Sequence, residues 1–326
     1  MKKLMNSPEA LLTESLQGFA RAHADLVTVC HQPRFVKRQQ KSQQKVALIS
    51  GGGAGHEPLH TGLVGKGMLD AACPGQIFTS PSPDQMLAAA EAVDTGEGVL
   101  FIVKNYAGDV MNFEMAAELW QGESASVVVA DDIAIPEGKG IEPRGVAGTL
   151  IVEKIVGAAA EQGETLATCQ ALGMAVNANT ASLGVALTSC TVPALGKPTF
   201  ELAEDQIEMG VGIHGERGRE TMAYRSAKQI VDDMMQALQQ ALSLNASHKI
   251  LLHINGLGGT PLMELYAVYE LASVFLEQQG IQVVRSLVGN YTTSLDMAGC
   301  SITMTIMNDD WLAYWDAPVQ TVNLSW

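Results

Sequence analysis

The most constraining feature of the chain is a strand-length apolar run at residues 46–50 that stops at three consecutive glycines, Gly51, Gly52 and Gly53, followed by Ala54 and Gly55. A residue without a Cβ fits where the backbone turns sharply or where another segment or a ligand comes very close. A buried strand that ends in exposed backbone amides at a sheet edge is where α/β proteins commonly bind ligands. Further apolar runs lie at 98–103, 126–130, 182–187, 206–209, 249–254, 282–288 and 301–307. They alternate with helix-period segments at 83–93, 111–120, 149–162, 220–242 and 261–279. A second strand–glycine–helix unit runs from 249 to 279 through 256–260, residues 136–148 read as a loop, and 316–326 read as an extended tail. This pattern predicts an α/β fold in two domains, 1–181 and 182–326, each a mixed or largely parallel sheet flanked by helices.

Charge and composition exclude several classes. The formal charge is −15 and no five-residue basic run occurs, which argues against direct nucleic-acid binding, because neutralising phosphates needs clustered Lys and Arg. The first nine residues turn polar after two lysines, so no signal peptide is expected, and no apolar run approaches the length of a bilayer span. The five cysteines form no CxxC pair, which disfavours a zinc ribbon or a redox dithiol and suits a reduced interior. A cytoplasmic enzyme or small-molecule binder is expected, with no membrane contact.

Three stretches can carry chemistry. The first is 50–58, SGGGAGHEP. It fits neither a Walker A loop nor G-x-G-x-x-G, so no nucleotide triphosphate site is indicated. It offers unobstructed N–H donors beside His56, a group that titrates near neutrality, which suits polarisation and proton transfer on a small oxygenated substrate; a sharp turn with a surface histidine is the plainer alternative. The second is 103–109, VKNYAGD, at the exit of another apolar strand. Lys104 and Asp109 sit at the same sheet edge as His56 if those strands are neighbours, and Asp109 reads equally as a helix cap or as a catalytic group. The third is 210–215, GVGIHG, which matches G-x-G-x-x-G only by letter, while its central His214 has room for close approach of a ligand. His23, His31, His60, His248 and His253 lack such a setting and read as structural. Ser80, in the turn 79–83, carries a hydroxyl that could reach a ligand; the polar loop 290–299 needs only helix capping to explain it. No metal-binding cluster stands out.

Together these stretches resemble the dihydroxyacetone kinase family, specifically the substrate-binding subunit of the bacterial phosphotransferase-dependent enzyme. The resemblance spans the chain and rests on MKKL at 1–4, KVALISGGGAGHEP at 45–58, CPGQIFTSPSPD at 73–84, KNYAGD at 104–109, CTVPALGKP at 190–198, GVGIHGE at 210–216, TSLDM at 293–297 and WDAP at 315–318. It implies a dimeric two-domain α/β subunit in which His214 adds to the ketone of dihydroxyacetone as a hemiaminal. His56 and Asp109 would hydrogen-bond the substrate and remove the proton of the hydroxyl that attacks phosphorus. The implied substrate-binding set is Gly53, Ala54, Gly55, His56, Ser80, Lys104, Asp109 and His214. No cofactor is implied on this chain; ADP with magnesium belongs to a partner kinase subunit, rephosphorylated by a phosphotransferase-system protein. The chain departs from the family pattern at Ala54, usually serine, at Pro143-Arg144, usually an arginine pair, and at Arg217, usually proline. It stops at Trp326 without a fused nucleotide-binding domain, which does not suit the self-contained ATP-dependent enzyme. A dihydroxyacetone-sensing transcriptional co-activator and a kinase subunit for a related short ketose are the alternatives.

Overall fold

Pro8 in the first turn, Ser7 accepting the Ala10 amide, and Leu12 and Leu16 one turn apart build the first helix, α1 (Pro8–Ala22). A hairpin follows, β1 (Val27–His31) with β2 (Arg34–Arg38), then β3 (Ala47–Ala54), the short β4 (Gly65–Lys66), and β5 (Ala71–Ile77). Helix α2 (Pro83–Val93) carries Pro83 in its first turn and a Ser82–Gln85 capping box, and it leads to β6 (Val99–Lys104), α3 (Ala107–Leu119) and β7 (Ser124–Val129). This computed structural model describes residues 2–134 and 143–326. Of the loop expected at 136–148, residues 136–142 lie outside the described residues.

The chain divides into two units, one of Met1–Val129, Thr149–Val176 and Ala313–Trp326, the other of Ala130–Gly148 and Asn177–Leu312. The expectation of one cut after residue 181 thus differs from the observed division, in which segments return to the first unit twice.

In the first unit the strand order is β1-β2-β5-β3-β6-β7, with β5, β3, β6 and β7 mutually parallel and the hairpin added antiparallel. Phe101, Phe113, Met86 and Ile49 lie in the core on one side of this sheet, under α2 and α3. Helices α4 (Gly148–Glu161) and α5 (Leu166–Ala178) follow β7.

The second unit holds β8 (Thr180–Ala186), β9 (Gln206–Met209), β10 (Glu220–Ala223), α6 (Ala227–Ala241), β11 (Lys249–Gly256), α7 (Leu262–Gln278), β12 (Gln282–Gly289) and β13 (Gly299–Met307). Its sheet order is β10-β9-β8-β13-β11-β12, and only β11 with β12 is parallel. Met234, Leu238, Leu276 and Ile302 belong to its apolar core.

Three local expectations are corrected. The first strand runs through its glycines instead of stopping at them, because β5 pairs with Gly51 and Gly52 and the chain beyond it lies so close that a Cβ at Gly53 would meet Thr79 N at 2.6 Å and Phe78 Cα at 2.7 Å. The segment 220–242 is a strand, β10, paired to β9, and then a separate helix started by the Ser226–Gln229 capping box. The tail beginning at 316 is preceded by a helix, α8 (Asp309–Asp316), and contains β14 (Gln320–Thr321), which pairs with β4. Among the described residues no helix is long and apolar enough to cross a membrane.

Within the second unit, buried Asp131 accepts the amides of Val146 at 2.8 Å and Gly148 at 2.7 Å and the Ser182 hydroxyl at 2.5 Å. Removing the carboxylate strands two buried amides, while the Ser182 hydroxyl keeps Thr303 at 2.7 Å, so Asp131→Ala is expected to lower stability by about 2–4 kcal/mol in urea unfolding. A change within about 0.5 kcal/mol would show that water replaces the carboxylate without cost.

Candidate functional site

β3 and β6 are parallel neighbours, Ala47 opposite Val99 and Ser50 opposite Ile102, so the end of β6 delivers Lys104 beside the glycines of β3. Gly52 is required there, since a Cβ would overlap the Lys104 ammonium. Lys104 has no solvent exposure. Its Nζ donates to Gly51 O at 3.1 Å and to Asp109 Oδ2 at 3.2 Å, and lies 3.2 Å from His60 Nε2. A buried ammonium is costly unless its charge and all its protons are met, and these three acceptors meet them.

Asp109 is not the cap of α3. Tyr106 occupies the N-cap position, the helix starts at Ala107, and Asp109 is its third residue, buried to 1% exposure. Oδ2 accepts a hydrogen bond from the Lys104 ammonium, while Oδ1 is buried without a hydrogen-bond partner. Ser80 packs against Gly108 one residue earlier: a Cβ on that glycine would meet the Ser80 hydroxyl at 2.8 Å.

His56 is fully buried and stacks on Phe78, ring centroids 5.1 Å apart and planes 18° apart, so a surface turn is not its setting. The Gly55 amide donates to the Glu57 carboxylate at 3.0 Å, and Ala54 is buried with its carbonyl accepting the Phe78 amide at 2.9 Å. Position 54 thus makes this contact through its backbone, whatever its side chain.

His60 and Glu153 are components that the sequence reading missed. His60 Nδ1 lies 2.6 Å from Glu153 Oε1, and both side chains are buried. Burial, then the charges of Lys104 and His56, holds His60 well below the ordinary histidine range. Burial pushes Glu153 up to about 8 against the opposing pull of the Ser50 hydroxyl and Lys104. The signal for Glu153 was present: with Lys154 it is one of two adjacent charges in the otherwise apolar segment 150–156 of α4.

In the second unit, His214 is half-buried on the loop after β9, its backbone N–H donating to Glu216 Oε2 at 2.8 Å. Arg144 pins that loop. It donates to Glu216 Oε1 at 2.8 Å, to Gly210 O at 2.8 Å and through Nε to Asp132 Oδ2 at 2.6 Å. Burial raises Asp132 to about 6 despite this guanidinium. Arg144 by itself makes all three contacts. Arg217 reaches outward to the Glu201 carbonyl at 3.1 Å and stacks over Phe200 at 5.4 Å. In the loop 290–299, Asn290 accepts the Gly258 amide at 3.2 Å and Asp296 accepts the Thr191 amide at 2.7 Å, so the loop ties strand ends together where capping alone was expected.

The structure thus brings Gly53, Ala54, Gly55, His56, Ser80, Lys104 and Asp109 into the first unit around β3, β6 and α3, and gives His214 to the second. The arrangement of the first unit offers one open carboxylate oxygen, a buried imidazole and a fixed cation, the equipment for moving a proton from a hydroxyl. The raised value of Glu153 makes a further prediction. In the unfolded chain it loses its proton near pH 4.5, in the folded chain only near pH 8, so stability measured against Glu153→Gln is full below pH 4.5 and falls as pH rises to about 8. Urea unfolding across that range checks it, and a pH-independent difference would contradict it.

A family model described as the Dak1 domain matches residues 17–323. The chain is 45% identical over 355 residues, covering 100% of this chain and 99% of the relative, to the PEP-dependent dihydroxyacetone kinase, dihydroxyacetone-binding subunit DhaK, of Escherichia coli (strain K12). Among solved structures it is similar to the dihydroxyacetone kinase operon co-activator Dha-DhaQ, with a TM-score of 0.91 at 34% identity over 95% of this chain and 97% of that one. It is also similar to the native form of the dihydroxyacetone kinase of C. freundii, with a TM-score of 0.89 at 35% identity over 99% of this chain and 60% of that longer one.

Proposed function

The chain belongs to the Dak1 domain family, and from that premise we propose that it is the dihydroxyacetone-binding subunit of a phosphotransferase-dependent dihydroxyacetone kinase. The observation that carries the kinase reading is Asp109: one oxygen is occupied by Lys104, and the other, Oδ1, is buried and open to a hydroxyl.

In this reading one nitrogen of the His214 imidazole adds its lone pair to the ketone carbon, the carbonyl π pair moves to oxygen, and the proton that oxygen gains balances the one the other ring nitrogen gives up, leaving a neutral hemiaminal that glycerol cannot form. A terminal hydroxyl then loses its proton to Asp109, with His56 as the other candidate base, as its oxygen attacks phosphorus. Phosphoryl transfer demands mostly alignment and charge, which a rigid, buried site supplies. Gly53, Ala54, Gly55, Ser80 and Lys104 line the pocket around the substrate. The phosphoryl group comes from a partner subunit carrying ADP and magnesium, recharged by a phosphotransferase-system protein, and this chain works as a cytoplasmic homodimer.

A co-activator role is the second reading, favoured by the near full-length similarity to the operon co-activator. Mixing the purified chain with an ADP-binding subunit, the phosphotransferase donor proteins and dihydroxyacetone separates the two. The kinase reading expects dihydroxyacetone phosphate, and Asp109→Asn is expected to cut turnover by about 10²–10⁴-fold while substrate binding persists. Tight binding without product in the unmodified chain would support the co-activator instead. Turnover of a four-carbon ketose in place of dihydroxyacetone would support the related-ketose reading.

A further inference from the structure

We propose that Phe78 is a positioning residue for His56, and that the turn carrying it accepts a strained backbone so that its ring backs the imidazole. The proposal rests on the reading of His56 as a group that holds the substrate hydroxyl or takes its proton.

β5 runs out at Ile77 and the chain turns back at once. The Thr79 amide donates to Gln76 O at 2.9 Å, which closes a turn with Phe78 as its third residue. Phe78 has a φ of 55° there, in the left-handed region. A turn whose third residue has positive φ takes glycine or asparagine at that position, and a bulky side chain is an outlier. The surroundings are cut to fit this outlier. The register of β3 with β5 shifts between Gly52 and Ala54, and the Phe78 amide donates to Ala54 O at 2.9 Å. A Cβ on Gly53 would meet Phe78 Cα at 2.7 Å, and one on Gly75 would overlap the Thr79 carbonyl oxygen. Two glycines and a shifted register thus hold in place a residue whose own backbone would be relaxed as glycine.

What glycine would lack is the ring. It lies along the His56 imidazole, centroids 5.1 Å apart and planes 18° apart, and His56 has no exposure to water. A stacked face stops the imidazole from rotating about its Cβ–Cγ bond and so fixes the directions of its two nitrogens. Strain that the surrounding structure holds in place, beside a group offered for proton transfer, marks a residue kept for what it positions.

The test sets reconstituted turnover beside thermal melts for Phe78→Gly, Phe78→Ala and Phe78→Tyr. Both small variants lose the ring, but only alanine keeps the strain, so Phe78→Gly is expected to melt about 2 °C above Phe78→Ala. Both are nonetheless expected to lose kcat by about 10- to 100-fold with KM for dihydroxyacetone nearly unchanged. Phe78→Tyr keeps the ring and is expected to restore kcat. Crystal structures of the unmodified chain and of Phe78→Gly are expected to show the stack in the first and a turned or divided His56 ring in the second. Full kcat in Phe78→Gly overturns the proposal, as does a rise in KM with kcat intact, which would make the ring a substrate contact. A Phe78→Gly variant that melts no higher than Phe78→Ala overturns the strain, and a His56 ring unmoved in Phe78→Gly overturns the positioning. Should Phe78→Ala fail to fold, Phe78→Gly and Phe78→Tyr decide against the unmodified chain. Should the unmodified chain show no turnover with its partners, the kinase reading fails separately, and the melts and the two crystal structures still decide whether strained Phe78 holds His56.

Discussion

The buried ammonium of Lys104 is the interaction on which the polar site of the first unit depends. A cation with no exposure to water survives only if charge and hydrogen bonds replace the water it lost, and removing one partner of such a pair costs about 3–5 kcal/mol. Each requirement falls on a different element. The parallel pairing of β3 with β6 supplies a backbone carbonyl at Gly51, position 52 must lack a side chain, and the first turn of α3 must bring a carboxylate. The strand, the glycines and the acid are thus parts of one electrostatic solution. A site held this way is rigid, as a reaction governed by alignment needs.

The second unit meets a related problem with a guanidinium. Arg144 spends three nitrogens on Asp132, Glu216 and the Gly210 carbonyl, and so shapes the loop that presents His214. Arginine suits this task because its planar fork reaches several acceptors in fixed directions, whereas the compact lysine head suits the tight space at Gly52. The imidazole of His214 is left half-buried on a braced loop, a fair setting for a nucleophile toward a small ketone.

Much of this was legible in the sequence. Buried strands announced themselves as apolar runs, and the glycines beside 46–50 and 103–109 marked the right sheet edge. The strand end was misread because pairing with β5, a tertiary contact, carries β3 through glycines that are weak strand formers in isolation. The helix over 220–242 was misread because β10 exists only by pairing with β9. Asp109 stayed ambiguous since a cap and a third helical residue differ by a few positions, which periodicity does not resolve. His60 was passed over because its partner lies 93 residues away, and Arg144 meets Glu216 across 72. Long-range polar contacts of this kind leave single residues out of pattern, such as Glu153 in an apolar helix, and that is the trace to look for.

The central claim is that this chain holds a short ketone by addition to His214. Carbon NMR of dihydroxyacetone labelled at its carbonyl carbon, bound to the chain and to His214→Ala, tests it most directly. The account predicts that the bound label leaves the ketone range and appears as a tetrahedral carbon with the unmodified chain only. A bound label that keeps its ketone resonance, or a tetrahedral signal that persists in His214→Ala, would contradict it.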